Sequence, residues 1–178
     1  MMTLAQQQQA LLRILRRDTR PAETDPWLAQ VVDSPGLAMV HEIAAWWLRF
    51  QIESHCRLTS RLMKRMDCFD SYLAAHAAEN TIPPAVEELT RQFLTSLAGH
   101  PDPLLRAVAA FELVCLAPSG LPHAVITLWD RNPSVALSAL SQSTELPPPE
   151  HNAQYTLTLG PGSPPSIHCT REIAVCAA

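Results

Sequence analysis

His41 and Glu42 open the stretch HEIAA, one residue away from the zinc-protease signature H-E-x-x-H. That chemistry needs two imidazoles one helical turn apart on the metal, with the glutamate as base. Ala45 stands where the second imidazole belongs, so the ligand set is incomplete and His41 and Glu42 read as a solvated helix face. His55 and Cys56 could form a base and a thiol nucleophile. Helix neighbours point about 100° apart, however, and a buried free cysteine is the plainer reading. The five cysteines, Cys56, Cys68, Cys115, Cys169 and Cys176, are odd in number and contain no C-x-x-C pair. This spacing excludes a zinc knuckle and a thioredoxin motif, and it fits free thiols in a reducing compartment. The five glycines form no phosphate or dinucleotide loop, G-x-S-x-G is absent, and no paired carboxylates stand out. No catalytic residue, metal ligand or cofactor is assigned to this chain, and an enzyme is not expected.

Binding chemistry is better represented. Arg57, Arg61, Lys64 and Arg65 fall at i, i+4, i+7 and i+8, a basic helix stripe. A solvated face is the plain reading, and a site for an acidic peptide or a partner protein is the sharper one. The formal charge of −4 counts against nucleic acid. Trp46 and Trp47 are helix neighbours, so they are expected to point apart; core is the default for both, and an interface anchor is the alternative. The partner-facing candidates are therefore Trp46, Trp47, Arg57 and Arg61. Near the end, Ile167, His168, Cys169, Thr170 and Arg171 lie on an expected strand. A free strand edge can hold an extended peptide through its backbone, so these five are the peptide-binding candidates. Taken from residue chemistry alone, an edge capped by loops or packed on helices is the favoured reading.

The elements that position these residues are punctuated by 16 prolines among 178 residues. With 47% hydrophobic and 17% charged residues, the composition is that of an ordinary globular chain. Leu4, Leu11, Leu12 and Leu15 predict a helix over Leu4–Arg17, ended by the stretch to Pro21. Asp25 is a cap candidate before Pro26, and Ser34-Pro35 repeats that start signal. Met39, Ile43, Trp46 and Phe50 form one stripe of a long helix, and Leu37, Val40, Ala44 and Trp47 form a neighbouring one. So wide an apolar arc predicts a central helix with more than one neighbour. Its periodicity continues through Leu58, Leu62 and Met66 after a break near Cys56. Phe69, Tyr72, Leu73 and His76 predict a further helix. Pro84–Ala98 predicts another, closed by Gly99 as a C-cap. Asp102-Pro103 starts the last of the set, with Leu105, Val108, Phe111, Leu113 and Leu116 as its stripe. Pro118-Ser119-Gly120 is read as the domain boundary. Beyond it lie a strand over Ala124–Trp129 and a helix over Pro133–Leu140 capped by Asn132. A proline-rich linker over Leu146–His151 follows. Two alternating strands, separated by a loop at Gly160–Pro165, make a hairpin with one apolar face. The expected class is α+β: a multi-helix domain over 1–117, and over 118–178 a small module with about three antiparallel strands and a short helix. No apolar run reaches the ~20 residues of a membrane helix, and the first residues lack a signal-peptide layout, so a cytoplasmic protein is expected.

Several stretches together resemble a known family. They are Asp25-Pro26-Trp27-Leu28, Ser34-Pro35-Gly36-Leu37, Ile43-Ala44-Ala45-Trp46-Trp47 with Glu53, and Cys56-Arg57-Leu58-Thr59-Ser60-Arg61-Leu62. Ala107-Val108-Ala109-Ala110-Phe111-Glu112-Leu113 and Trp129-Asp130-Arg131-Asn132-Pro133 complete the set. The pattern spans roughly Leu15 to Ile173 and is similar to the partner subunits of multinuclear non-haem iron enzymes that modify ribosomal peptides, nearest to those of methanobactin biosynthesis. No motif in it is diagnostic by itself. The resemblance implies a non-catalytic subunit that forms a heterodimer with an iron-dependent oxidative enzyme, which carries the metals. It implies that this subunit helps recruit the leader of a precursor peptide whose cysteines become copper-chelating oxazolone–thioamide groups. No individual residue is matched to a role in that family. Two rivals stand beside it: a winged-helix-like DNA-binding regulator, and an independent metalloenzyme using His41, His55 or the cysteines.

Overall fold

The computed structural model describes residues 3–15, 26–116, 124–150, 153–159 and 167–173. The readings at Asp25, 16–21, 118–120, 160–165 and Cys176 lie outside these residues. The described helices are α1 (Leu4–Leu15), α2 (Pro26–Val32), α3 (Pro35–His55), α4 (Arg57–Arg65), α5 (Phe69–Glu79), α6 (Val86–Ser96), α7 (Pro103–Cys115) and α8 (Pro133–Gln142). The strands are β1 (Ala124–Trp129), β2 (Ala153–Leu159) and β3 (Ile167–Ile173), in one antiparallel sheet of order β1-β2-β3. The fold is α+β. The chain forms two compact units, Met1–Gln51 with Leu73–Ile82, and Ile52–Tyr72 with Pro83–Ala178. This division differs from a cut at 117/118. The sheet shares a unit with α4, α6 and α7, because α7 packs along β1 and α4 packs against α8.

In the first unit, Ile14, Leu28 and Leu37 make a buried cluster flanked by Ala10 and Val32. α1 begins with a capping box. The Thr3 N–H donates to Gln6 Oε1 at 2.8 Å, and the Gln6 N–H donates to Thr3 Oγ1 at 3.3 Å. Ser34 starts α3 as expected: its hydroxyl accepts from the Leu37 N–H at 3.2 Å, ahead of Pro35. His41 donates from Nε2 to the Ile14 carbonyl at 3.2 Å, so this imidazole ties α3 to α1.

The second unit is organised around α7. Leu104, Leu105, Ala107, Val108 and Ala109 are buried along it, and so is Glu112. The expected stripe through Phe111 and Leu113 is displaced, since both are only half-buried. Periodicity alone does not place a carboxylate inside; a partner does. α3 breaks at Cys56 (φ −112°, ψ 56°), which sits in the N-cap position of α4 and makes no side-chain cap. Glu112 takes over that task. Its carboxylate accepts from the Leu58 N–H at 2.8 Å and from the Thr59 N–H at 2.9 Å. Burial raises the Glu112 pKa against the lowering effect of these hydrogen bonds.

Local signals set the remaining ends. Asp102 accepts from the Leu105 N–H at 2.8 Å, with Pro103 in the first turn. Asn132 accepts from the Ser134 and Val135 N–H groups at 3.0 and 3.3 Å. Gly99 is not a left-handed cap; α6 tightens into a 3₁₀ turn over Leu97–Gly99. α8 does end in the left-handed region, at Ser143 (φ 59°). The Thr144 N–H donates to Ala139 O at 2.9 Å and the Ser143 N–H to Leu140 O at 3.4 Å, which is the Schellman pattern.

Replacing Glu112 by alanine leaves one buried and one part-buried N–H group without their acceptor and is expected to cost about 2 kcal/mol in urea unfolding. Because the folded pKa is raised above the ordinary value of 4.5, this carboxyl favours the folded state most below that pH. The stability margin of wild type over Glu112→Ala is expected to shrink as pH rises through the elevated folded value. Ser143→Gly removes a Cβ from a left-handed residue and is expected to add about 0.5–1 kcal/mol, read as a higher urea midpoint at unchanged m-value.

Candidate functional site

Two surfaces, one in each unit, have the character of binding sites. The first lies on α3. Met39, Val40, Ile43, Trp46, Trp47 and Phe50 are all exposed, while Leu37 and Leu48 are buried on the opposite side of the helix. Trp46 and Trp47 are 60% and 52% exposed, which corrects the expectation that both are core. They also do not simply point apart. Phe50 lies one turn on and between them. Its ring stacks on Trp46 at 5.6 Å and on Trp47 at 5.9 Å, and the two indoles are 6.4 Å apart. Of the eight residues that make the wide apolar arc, only Leu37 is buried, so the expectation of a central helix with more than one neighbour is not met among the described residues. Hydrophobic spacing reports that a surface is suited to burial; it does not say which chain does the burying.

The second surface is β3. Every pair from Ala153↔Ile173 to Leu159↔Ile167 is in register with β2. The pairing of β1 with β2 shifts between Ile126 and Trp129, a β-bulge beside the buried Trp129. Directly opposed residues of an antiparallel pair share a face. Cys169 lies opposite Leu157 and Arg171 opposite Tyr155, so both belong to the face on which β2 buries Tyr155, Leu157 and Leu159. Yet Cys169 and Arg171 are exposed, and so are His168 and Thr170 on the other face. β3 therefore overhangs the helical layer. The expected apolar face of the hairpin is covered at β2 and open at β3. Among the described residues, no strand pairs with the outer edge of β3.

Glu150 fastens this overhang. One carboxylate oxygen accepts from the Tyr155 hydroxyl at 2.6 Å and the other from Arg171 Nη2 at 2.9 Å. The Arg171 guanidinium lies 5.9 Å from the centre of the Tyr155 ring. The Tyr155 phenol is pushed above its ordinary value, chiefly by the Glu150 carboxylate that accepts its proton. Glu150 is itself placed by the turn after β1. Its N–H donates to Asp130 O at 2.7 Å, and Arg131 forks onto the Asp130 carboxylate at 2.7 and 2.8 Å. Arg131 also donates to Pro147 O at 2.8 Å, which pins the proline-rich stretch alongside. The WDRNP segment was read for its turn and its cap; the guanidinium hold on Pro147 depends on residues 16 positions apart and has no local signature.

The partner-facing candidates are not gathered in one unit. Trp46 and Trp47 belong to the first, Arg57 and Arg61 to the second. Of the basic stripe, Arg57 is exposed. Arg61 instead donates to the carbonyls of Leu140, at 2.8 Å, and Ser141. Arg65 reaches Ala139 O at 3.5 Å, and Lys64 pairs with Glu53 at 2.8 Å. Two of the four stripe residues, Arg61 and Arg65, thus serve the last turn of α8, where cations are favoured by the helix dipole.

Cys56 is buried, and its thiol is pushed far above the ordinary range by burial first and then by Glu112, so it is no nucleophile at neutral pH. Among the described residues, no group of three or more His, Cys, Asp and Glu side chains is arranged to hold a metal ion. No helix among them is long and apolar enough to cross a membrane. No protein-family model, no curated protein and no solved structure matches this chain.

Arg61→Ala removes a charged donor from two α8 carbonyls and is expected to cost about 1–2 kcal/mol. Arg57→Ala is expected to stay within about 0.5 kcal/mol of wild type in the same urea titration.

Proposed function

We propose that this chain is a non-catalytic accessory subunit that recruits an extended peptide along β3. The observation that carries this reading is the overhang. β3 is an edge strand, in register with its neighbour and exposed at His168, Cys169, Thr170 and Arg171 on both of its faces. A peptide adding to that edge gains backbone hydrogen bonds irrespective of its sequence. Its alternate side chains meet Cys169 and Arg171 on one face and His168 and Thr170 on the other, which supplies selection. The clamp of Glu150 on Tyr155 and Arg171 holds the strand in place before a peptide arrives, which lowers the ordering cost of binding.

On this reading the peptide is the leader of a ribosomally made precursor, and the subunit works as a heterodimer with an iron-dependent oxidative enzyme of the methanobactin type. The enzyme holds the iron and oxidises the precursor cysteines to copper-chelating oxazolone–thioamide groups. This chain contributes placement: a peptide held by backbone pairing at its leader offers its downstream cysteines to the enzyme at high effective concentration. The sequence resemblance names the reaction, and the open strand supplies the means of recruitment.

Adjacent residues of β3 point their N–H groups alternately at β2 and at the open edge. Proline at Cys169 and proline at Thr170 are therefore expected to behave oppositely. One variant breaks the β2 ladder and destabilises the sheet. The other keeps the fold and loses one donor to the peptide, lowering affinity for a fluorescent leader about tenfold in anisotropy titrations of the heterodimer. Wild-type affinity in the variant that keeps its fold, with the peptide still bound, would remove β3 from the reading.

A further inference from the structure

The outer face of α3 carries a run of large apolar side chains that its own unit leaves exposed. Met39, Ile43, Trp46 and Phe50 are spaced 4, 3 and 4 residues apart, the spacing of a helix-to-helix seam. Val40 and Trp47 lie along one flank of this seam, and Glu42 and Arg49 lie along the other. All eight side chains are exposed. The buried residues Leu37 and Leu48 face the other way, so α3 has a separate inner stripe for its own fold.

We propose that this outer face closes against the same face of a second copy of the chain, with the two α3 helices antiparallel. The two-fold axis passes between Ala44 and Ala45. Met39 then meets Phe50 of the second copy, and Ile43 meets its Trp46. Along one flank Val40 meets Trp47. Along the other, Glu42 lies beside Arg49 of the second copy, and the symmetry makes that ion pair twice. An isologous interface has to be complementary to itself, and this one matches apolar to apolar and acid to base at every level. A parallel pair would lay the charged flank of one helix against the apolar flank of the other.

Area supports the same occupant. The six apolar side chains each expose 46–63% of their surface. Together that is roughly 600–700 Å², close to the about 800 Å² that one partner contributes to a standard interface. The aromatic cluster of Trp46, Trp47 and Phe50 supplies the large anchors on which such contacts depend. The inference uses α3 alone and does not rest on peptide binding at β3.

The test is the mass of the full chain across a concentration series, by sedimentation equilibrium, with circular dichroism to confirm folding. A reversible dimer is expected. Trp46→Ser is expected to raise its dissociation constant by about 30-fold or more, since it empties the seam at two symmetric places. E42R and R49E each create two like-charge contacts and are expected to raise it about 10-fold. The combined variant E42R/R49E restores the opposite pairing and is expected to return to within about threefold of wild type, because only self-pairing puts both changes in one interface. A folded chain that is monomeric throughout the series overturns the proposal. A dimer that ignores Trp46→Ser, or single variants that are not rescued by combination, overturns it equally. Capture of an oxidative enzyme through Trp46 by a monomeric chain would also reject the dimer, while leaving peptide recruitment at β3 standing.

Discussion

The Glu112 carboxylate sits inside the second unit with its two oxygens on the first N–H groups of α4. A helix start has unpaired donors and a positive dipole end, which is one of the few interior places where a carboxylate is supported. α4 needs that support, because its cap position holds Cys56, which offers no oxygen. Further helix-end contacts follow in sequence. α4, once begun at the right place, sends Arg61 and Arg65 to the last carbonyls of α8. α8 is fixed at its other end by Asn132, next to the buried Trp129. The adjacent Asp130–Arg131 pair holds Pro147 and Glu150, and Glu150 holds Tyr155 and Arg171 on the sheet. A line of polar contacts thus runs from α7 to the open strand, most of them at a helix terminus.

Apolar burial supplies the bulk of the stability here as elsewhere, through Phe93, Leu94, Leu97, Leu105, Val108, Leu140 and Leu157. It is non-directional, however, and would accept several rotations of α4 against α7. The carboxylate will not. Rotating α4 by one residue would leave Glu112 buried without donors, at a cost of several kcal/mol. Burial, which raises the Glu112 pKa, offsets part of what these hydrogen bonds contribute to stability. What Glu112 also contributes is registration of α4, and through α4 the position of α8.

How much of this could be read from the chain follows from the range of each interaction. Ser34, Asp102 and Asn132 are caps acting over two or three residues, and their Ser-Pro, Asp-Pro and Asn-Pro signals were plain. The break at Cys56, the β-branched strand over Ala124–Trp129 and the two alternating strands after it were legible for the same reason. The capping box of Thr3 and Gln6 acts over the same short range and is equally legible in the chain. Glu112 was not legible as a buried residue, because its partners lie more than 50 positions earlier and the strip Phe111–Leu113 suggests a different rotation. Arg61 looked like one of a solvated stripe for a parallel reason, its acceptors being 79 and 80 residues away. On α3 the apolar pattern was correctly seen to exceed one face. Assigning Trp46 and Trp47 to the core assumed that the neighbour needed by that second face lay in the same chain.

β3 poses the reverse problem, an element with less cover than its composition calls for. A strand open on one edge and on both faces has little burial of its own to hold it, and it invites indiscriminate pairing. Two features answer this within the described residues. The full ladder to β2 and the Glu150 clamp hold the strand flat against its neighbour. Arg171, on the face where Tyr155 and Leu157 are buried, places a charge where an uncontrolled partner strand would need an apolar side chain. A second copy of β3 laid against that edge would have to accommodate the charge, its counter-ion and the polar pair His168 and Thr170. An extended peptide bearing an acceptor opposite Arg171 would instead complete the charge network around Glu150. The same residue thus weighs against edge-to-edge pairing of two copies and, on the proposed reading, would favour a particular kind of guest.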